Sequence, residues 1–149
     1  METEIRLVTE DSFAELEPLF AAYQRFYEVK DIDEERNRKF FSRFIGSNHS
    51  GWLLGAWQGE QVVGFGCYYR HKSSLSATST VLMNDLYVVE GARGSGIGRS
   101  LIEAGAELAR DAGLSCLEWS TAPDNTRAQA LYDSTGAEKS TWITYELEV

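Results

Sequence analysis

Three glycines stand within Arg93-Gly94-Ser95-Gly96-Ile97-Gly98-Arg99-Ser100, bracketed by two arginines, and this is the stretch of the chain best suited to holding an anion. A backbone with so few β-carbons can bring its N–H groups very close to a ligand. Directly after it Ile97, Leu101, Ala104 and Leu108 recur at helical spacing. The loop's free N–H groups therefore lie at a helix N-terminus, where orphan donors and the positive dipole end favour a phosphate. Two familiar phosphate loops do not fit. A Walker loop needs glycine where Arg93 stands and lysine where Arg99 stands, and a dinucleotide fingerprint beginning at Gly94 needs glycine or alanine at position 99.

Arg93, two residues, Gly96, one residue, Gly98 resembles the acyl-CoA signature of the GNAT N-acetyltransferase superfamily. Asp85-Leu86-Tyr87-Val88 before the loop and the run Asn125 to Ala137 after it resemble that family's other signatures, in the same order. The likeness covers nearly the whole chain. It implies acetyl-CoA as the acetyl donor, its pyrophosphate wrapped by Arg93, Gly94, Ser95, Gly96, Ile97, Gly98, Arg99 and Ser100. It implies that the main chain of Leu86, Tyr87 and Val88 lies along the thioester and pantetheine. Asn125 and Ala128 would meet the cofactor's arm, and Tyr132 would act as general acid to the departing thiolate.

The residues themselves allow these roles. Asn125 is a good helix N-cap, and Tyr132, seven residues on, lies two turns along the same face. A phenol of pKa ~10 stays protonated at neutral pH and can donate its proton if well placed.

The acceptor side is less defined. Tyr27-Glu28 and Asp85 before an aromatic-Val pair look like the spermidine/spermine-type and polyamine/histone-type branches, with Tyr23, Phe26 and Tyr87 completing an aromatic set. The polyamine branch carries glutamate where this chain has Asn84, and asparagine cannot accept a proton. Asp85, another acid or a water chain must then serve as base, with Tyr23, Tyr27, Glu28 and Asn84 facing the substrate. A small cationic amine or basic peptide fits an acidic connector, Glu28 to Glu35, beside aromatic rings. Two rival readings remain: an acyl-CoA-binding sensor or interaction module that has lost catalysis, and a nucleotide-phosphate enzyme.

These groups need a scaffold. A chain of 149 residues with 43% hydrophobic content has the size of one domain, 1–149, and should bury about 70% of the surface its unfolded form exposes. The net charge of −9 argues against nucleic acid as a partner. Short apolar runs and the acidic start Met1-Glu2-Thr3-Glu4 carry no membrane span or signal peptide, which points to the cytoplasm. Cys67 and Cys116 fall in apolar strand-like segments and read as two buried thiols; His49 and His71 lack partners at ligand spacing, so no metal is expected.

The pattern predicts a strand over Ile5 to Thr9, then a helix opened by a Ser12/Glu15 capping box and interrupted by Pro18, then a second helix from about Asp33 to Ile45. Trp52 to Trp57 and Gln61 to His71 read as a hairpin turning at Gln58-Gly59, followed by a strand over Val81 to Val89. The glycine-loop helix, Gly94 to Ala112, a strand Leu114 to Ser120, a helix Thr126 to Ser134 and a last strand near Trp142 to Leu147 complete the chain. The expected fold is α/β: a mixed, mostly antiparallel sheet of about six to seven strands with helices on both faces. The GNAT resemblance further implies that the strand before the loop and the strand after its helix splay apart to admit the pantetheine. A homodimer touching near Trp142 is a further expectation.

Overall fold

The computed structural model describes residues 2–149. Five strands form one sheet in the order β1 Thr3–Leu7, β2 Gly51–Gln58, β3 Gln61–Ser73, β4 Thr78–Val88, β5 Leu117–Glu118. The first four pair antiparallel, and β5 joins β4 in parallel. The helices α1 Phe13–Phe26 and α2 Glu34–Phe41 cover one face, while α3 Ile97–Asp111 packs on the other, with α4 Thr126–Asp133 beyond it.

Each face owns a core, because the sheet's side chains alternate. Leu53, Trp57, Phe65 and Cys67 point toward α1 and α2, where Phe20 stacks on Phe41 at 3.9 Å and meets Phe65 edge-on. Leu54, Ala56, Tyr68 and Val81 point toward α3 and its Leu101 and Ile102. Full burial of each such large apolar side chain contributes roughly 1.5–3 kcal/mol. The Tyr68 hydroxyl, itself buried, donates to the Leu101 carbonyl at 2.7 Å and so ties α3, with the loop at its head, to the sheet.

A bulge sets the phase of β4. Cys67 pairs with Asp85 but Tyr68 pairs with Met83, leaving Asn84 as the extra residue. Val81 and Met83 therefore face α3 before the bulge, and Leu86 and Val88 face it afterwards, while Asp85 and Tyr87 turn toward α1. Without that inserted residue, strict alternation would put Leu86 and Val88 on the wrong side of the sheet.

Four expectations are corrected. The sheet has five strands, not six or seven: the described residues beyond Ala137 make no ladder bonds, and Trp142 is 82% exposed. The segment Leu114 to Ser120 keeps only two strand residues, because it has a partner on one side alone, at Val81 and Leu82. Ser12 forms no capping box; it sits in a helical rather than an extended conformation, and its hydroxyl accepts the Thr9 N–H, leaving Glu15 to accept from the Trp57 indole at 3.3 Å. Cys116 is exposed on that bare sheet edge, whereas Cys67 is buried.

Candidate active site

The glycine loop ends in the geometry its sequence requires. Gly94 and Gly96 adopt φ of 82° and 85°, and Gly96 is the N-cap of α3. Side-chain-bearing residues resist that left-handed conformation, and a β-carbon built on either glycine would meet nothing within 4 Å. From Gly94 through Arg99 the backbone N–H groups have no hydrogen-bond partner among the described residues; the first internal bond of the turn runs from the Ser100 N–H to the Gly96 carbonyl. Ser95 and Ser100 bend their hydroxyls back onto the Ala92 and Gly96 carbonyls, which stiffens the loop around these open donors. Such an array fits the pyrophosphate of acetyl-CoA.

The two flanking arginines are held in place. Arg93 donates from Nε to the Val88 carbonyl at 2.8 Å, and its guanidinium lies over the Phe26 and Tyr87 rings at 5.1 and 5.7 Å. Arg99 binds Glu103 and the Ser134 hydroxyl. Both line the cavity described next, so their charge is available to an anion without a search for conformation.

The cavity has a volume of about 410 Å³ and runs from the loop to the space between β4 and α4. It exists because β4 and β5 separate: they pair only at Val81–Leu117 and Leu82–Glu118, after which Leu86, Tyr87 and Val88, still paired to β3, form a wall with no strand on their β5 side. Opposite stand Asn125, Ala128 and Tyr132 of α4. Asn125 uses Oδ1 to cap the Ala128 N–H at 3.2 Å, which leaves its amide NH₂ without a partner among the described residues. Tyr132 is half-buried against Trp119, ring centroids 5.4 Å apart, and burial raises its pKa above the ordinary phenol value. The phenol is thus kept in its proton-donating form.

At the α1 end the cavity is walled by Phe26, Tyr27 and Tyr87, the first two about half exposed. Behind them lies Asp85, only 6% exposed and outside the cavity lining. Its Oδ1 accepts from the Tyr23 hydroxyl at 2.7 Å and from the Asn84 amide at 3.3 Å. Burial raises the Asp85 pKa, and those two hydrogen bonds only partly oppose it. The same burial, with the carboxylate alongside, pushes the Tyr23 hydroxyl well above its ordinary value. Tyr23 touches Tyr27 and Tyr87 edge-on, so Tyr23 links the buried acid to the aromatic wall. Glu28 follows α1 in a left-handed conformation, φ 60°, and is exposed.

The structure brings the glycine loop, the β4 wall and the Asn125–Tyr132 face together around one cavity, and sets Tyr23 and Asp85 one layer behind it, with Asn84 exposed and bonded to Asp85. Leu131 and Arg127 fall inside the Asn125 to Ala137 run, Leu131 as part of the signature around Tyr132; Trp119 has no sequence signal, since its contact with Tyr132 depends on the splay of β5.

Comparison with known proteins agrees with this geometry. The pattern of the Acetyltransferase (GNAT) family matches residues 16–137. The uncharacterized N-acetyltransferase YhfO of Bacillus subtilis (strain 168) is 32% identical over 146 residues, 97% of each chain. The D-amino-acid N-acetyltransferase HPA3 of Saccharomyces cerevisiae is 38% identical over 116 residues, 76% of this chain and 71% of the yeast protein. The crystal structure of a probable acetyltransferase superimposes with a TM-score of 0.83 at 30% identity, covering 100% of this chain and 98% of that one.

Proposed function

We propose, from the premise that this chain belongs to the Acetyltransferase (GNAT) family and is an acetyl-CoA-dependent N-acetyltransferase, that residues 1–149 form one catalytic domain that acetylates a primary amine of a small cationic molecule. A lysine-like amine, a polyamine and a basic peptide are the acceptors in view. The observation that carries this reading is the run of unpartnered N–H groups from Gly94 to Arg99 opening on a cavity that ends at Tyr132.

When bound, acetyl-CoA supplies a thioester whose acetyl group moves to the amine and whose sulfur leaves. The chain's part begins with the loop, where Gly94 to Ser100 holds the anionic end and fixes its register along β4. Leu86, Tyr87 and Val88 align the arm, and a main-chain donor aimed at a developing oxyanion is commonly worth ~3 kcal/mol. Asn125 and Ala128 hold the arm from the α4 side. Tyr132, kept protonated by burial, gives its hydroxyl proton to the departing sulfur. Among the described residues no cysteine lines the cavity, which supports direct transfer to the amine.

The acceptor amine must lose a proton before it attacks. We assign Asp85 as the final proton acceptor, with Tyr23 passing the proton inward: Tyr23 takes one at its oxygen as its own goes to Asp85 Oδ1. Its raised pKa makes Asp85 a stronger base than an ordinary carboxylate. Tyr27 and Glu28 recruit the cation, and Asn84 holds Asp85 in place. The name of the yeast relative, a D-amino-acid acetyltransferase, supports a small amine as substrate. The cytoplasm suits such an enzyme; among the described residues no helix is long and apolar enough to cross a membrane.

A mass-spectrometric screen of amines with acetyl-CoA tests the reading: at least one small primary amine gains an acetyl group and releases CoA. One observation favours a second reading, a catalytically silent acyl-CoA sensor. Asn84 stands where the polyamine branch carries glutamate, and it donates to Asp85 instead of accepting a proton. Acetyl-CoA binding with no acetylation of any amine would decide for the sensor.

A further inference from the structure

Helix α2 is held to the rest of the molecule at few points. Of its eight residues only Asn37 and Phe41 are buried, and nothing apolar precedes Phe40 in Glu34–Phe41. A helix this short does not persist on its own propensity, so those two residues must place it. Each meets a partner on α1. Phe41 stacks on Phe20, and Asn37, one turn earlier in α2, meets Gln24, one turn later in α1. The two helices therefore run antiparallel, joined by one rung near the sheet's core and one rung nearer the connector.

The second rung is polar where the first is apolar. Asn37 is 7% exposed, a degree of burial usual for leucine and unusual for an amide. Its Nδ2 donates to Gln24 Oε1 and its Oδ1 accepts from Gln24 Nε2, both at 2.8 Å. Two reciprocal hydrogen bonds between planar amides close in one register only, because any slide or rotation of α2 leaves buried polar groups without partners. An apolar pair would hold the helices together over a range of offsets. The segment that joins them, residues 27–33, depends on this rung at both ends. The Gln24 carbonyl accepts the Val29 N–H at 3.0 Å, closing the turn that carries Glu28 in its left-handed conformation. At the other end Asp33 caps the Arg36 N–H, and the Arg36 guanidinium grips Asp31. Gln24 thus fixes the turn through its backbone and α2 through its side chain.

Resting on the reading that the acceptor meets Phe26, Tyr27 and Tyr87, we propose that Gln24 and Asn37 are positioning residues for the amine: their amide pair sets the register of α2, and through it the placement of residues 27–33 at the acceptor end of the cavity. Neither residue lines that cavity, so both act through the connector. The glycine loop heads α3, which packs on the opposite face of the sheet from α1 and α2. The pair should therefore govern the amine and leave the cofactor alone.

The test uses the full chain and needs no turnover. Gln24→Leu with Asn37→Leu removes both amides together, which leaves no unpaired polar group and should keep the melting temperature near that of the natural chain. Hydrogen exchange should then be about 10-fold faster at the amides of 28–33 and unchanged across 97–111. With CoA bound, 1,4-diaminobutane and L-lysine, followed at the Tyr27 amide resonance, should bind about 5-fold more weakly while CoA affinity stays the same. Gln24→Asn with Asn37→Gln, which restores a reciprocal amide pair, should recover most of both losses. Unchanged exchange at 28–33, a CoA affinity that falls with the amine affinity, a swapped pair no better than the leucines, or a leucine pair that unfolds the chain would each overturn the proposal. Two further results separate it from the reading beneath it. If neither amine binds the natural chain, the cationic-acceptor reading fails and the positioning role goes with it. If an amine binds the natural and leucine chains equally, the positioning role alone fails.

Discussion

The two ends of the cavity are built from different materials. At the proposed donor end the groups on offer are backbone: open N–H groups from Gly94 to Arg99, the stretch of β4 open on its β5 side, and the capped start of α4. At the proposed acceptor end they are side chains: Phe26, Tyr27 and Tyr87 as a wall, with the Tyr23–Asp85 pair behind. Backbone sites depend on where the chain can bend and on what it leaves unpaired, so they recognise a group common to one cofactor. Side-chain sites can be retuned one residue at a time. The cofactor is accordingly firm in this protein, and the amine is the variable part.

That contrast can be broken or sharpened by substitution. The largest effect is expected at the junction of the two ends. Tyr132→Phe should lower kcat by ~100-fold or more, the low end of what a positioned acid contributes, with acetyl-CoA affinity almost unchanged. Normal turnover in steady-state assays would remove Tyr132 from its role. Next comes the donor end. Gly96→Val forces a branched side chain into a left-handed cap, at a cost of roughly 1–2 kcal/mol, so acetyl-CoA should bind about 5- to 30-fold more weakly by calorimetry. The amine KM should not move; if it does, the two ends are not separate.

A smaller effect belongs to the acceptor wall. Tyr27→Ala should raise the amine KM about 3- to 10-fold through loss of cation–π contact, leaving the acetyl-CoA KM alone. The smallest effect is on stability. Burial holds the folded pKa of Asp85 above the ordinary carboxylate value. The stability it contributes is therefore complete below that value and declines as pH rises through the folded pKa. Asp85→Asn removes the decline, so the melting temperature of the variant relative to the natural chain should be higher at pH 7 than at pH 4. A relative melting temperature that falls over the same range would mean the carboxylate is stabilised, not strained, by its surroundings.

How much of this was legible in the sequence follows the same division. Gly94 and Gly96 declare the loop's turn, because few other residues tolerate their backbone angles, and Arg93 stands out by its spacing from them. The cap at Asn125 and the two-turn separation to Tyr132 are local, and local rules predicted them. The burial of Asp85 was not legible. It depends on the extra residue at Asn84, which changes the phase of β4 and turns Asp85 beneath Tyr23; a bulge is a property of two paired strands and leaves no periodic trace in one. The missing outer strands have a similar cause. Trp142 to Leu147 has the alternation of a strand, but alternation states only that a face wants burial, not that a partner lies within the same chain. Cys116 is exposed for the same reason: its apolar, strand-like segment forms the last strand of the sheet and has no neighbour on its outer side.

The central claim, that the open N–H groups at the head of α3 hold acetyl-CoA, is tested most directly by following the protein's backbone amide resonances while acetyl-CoA is added. The account predicts that the largest shifts fall on Gly94 to Ser100, with Leu86 to Val88 and Asn125 to Ala128 moving as a second group. Saturable binding that leaves Gly94 to Ser100 unmoved would contradict it.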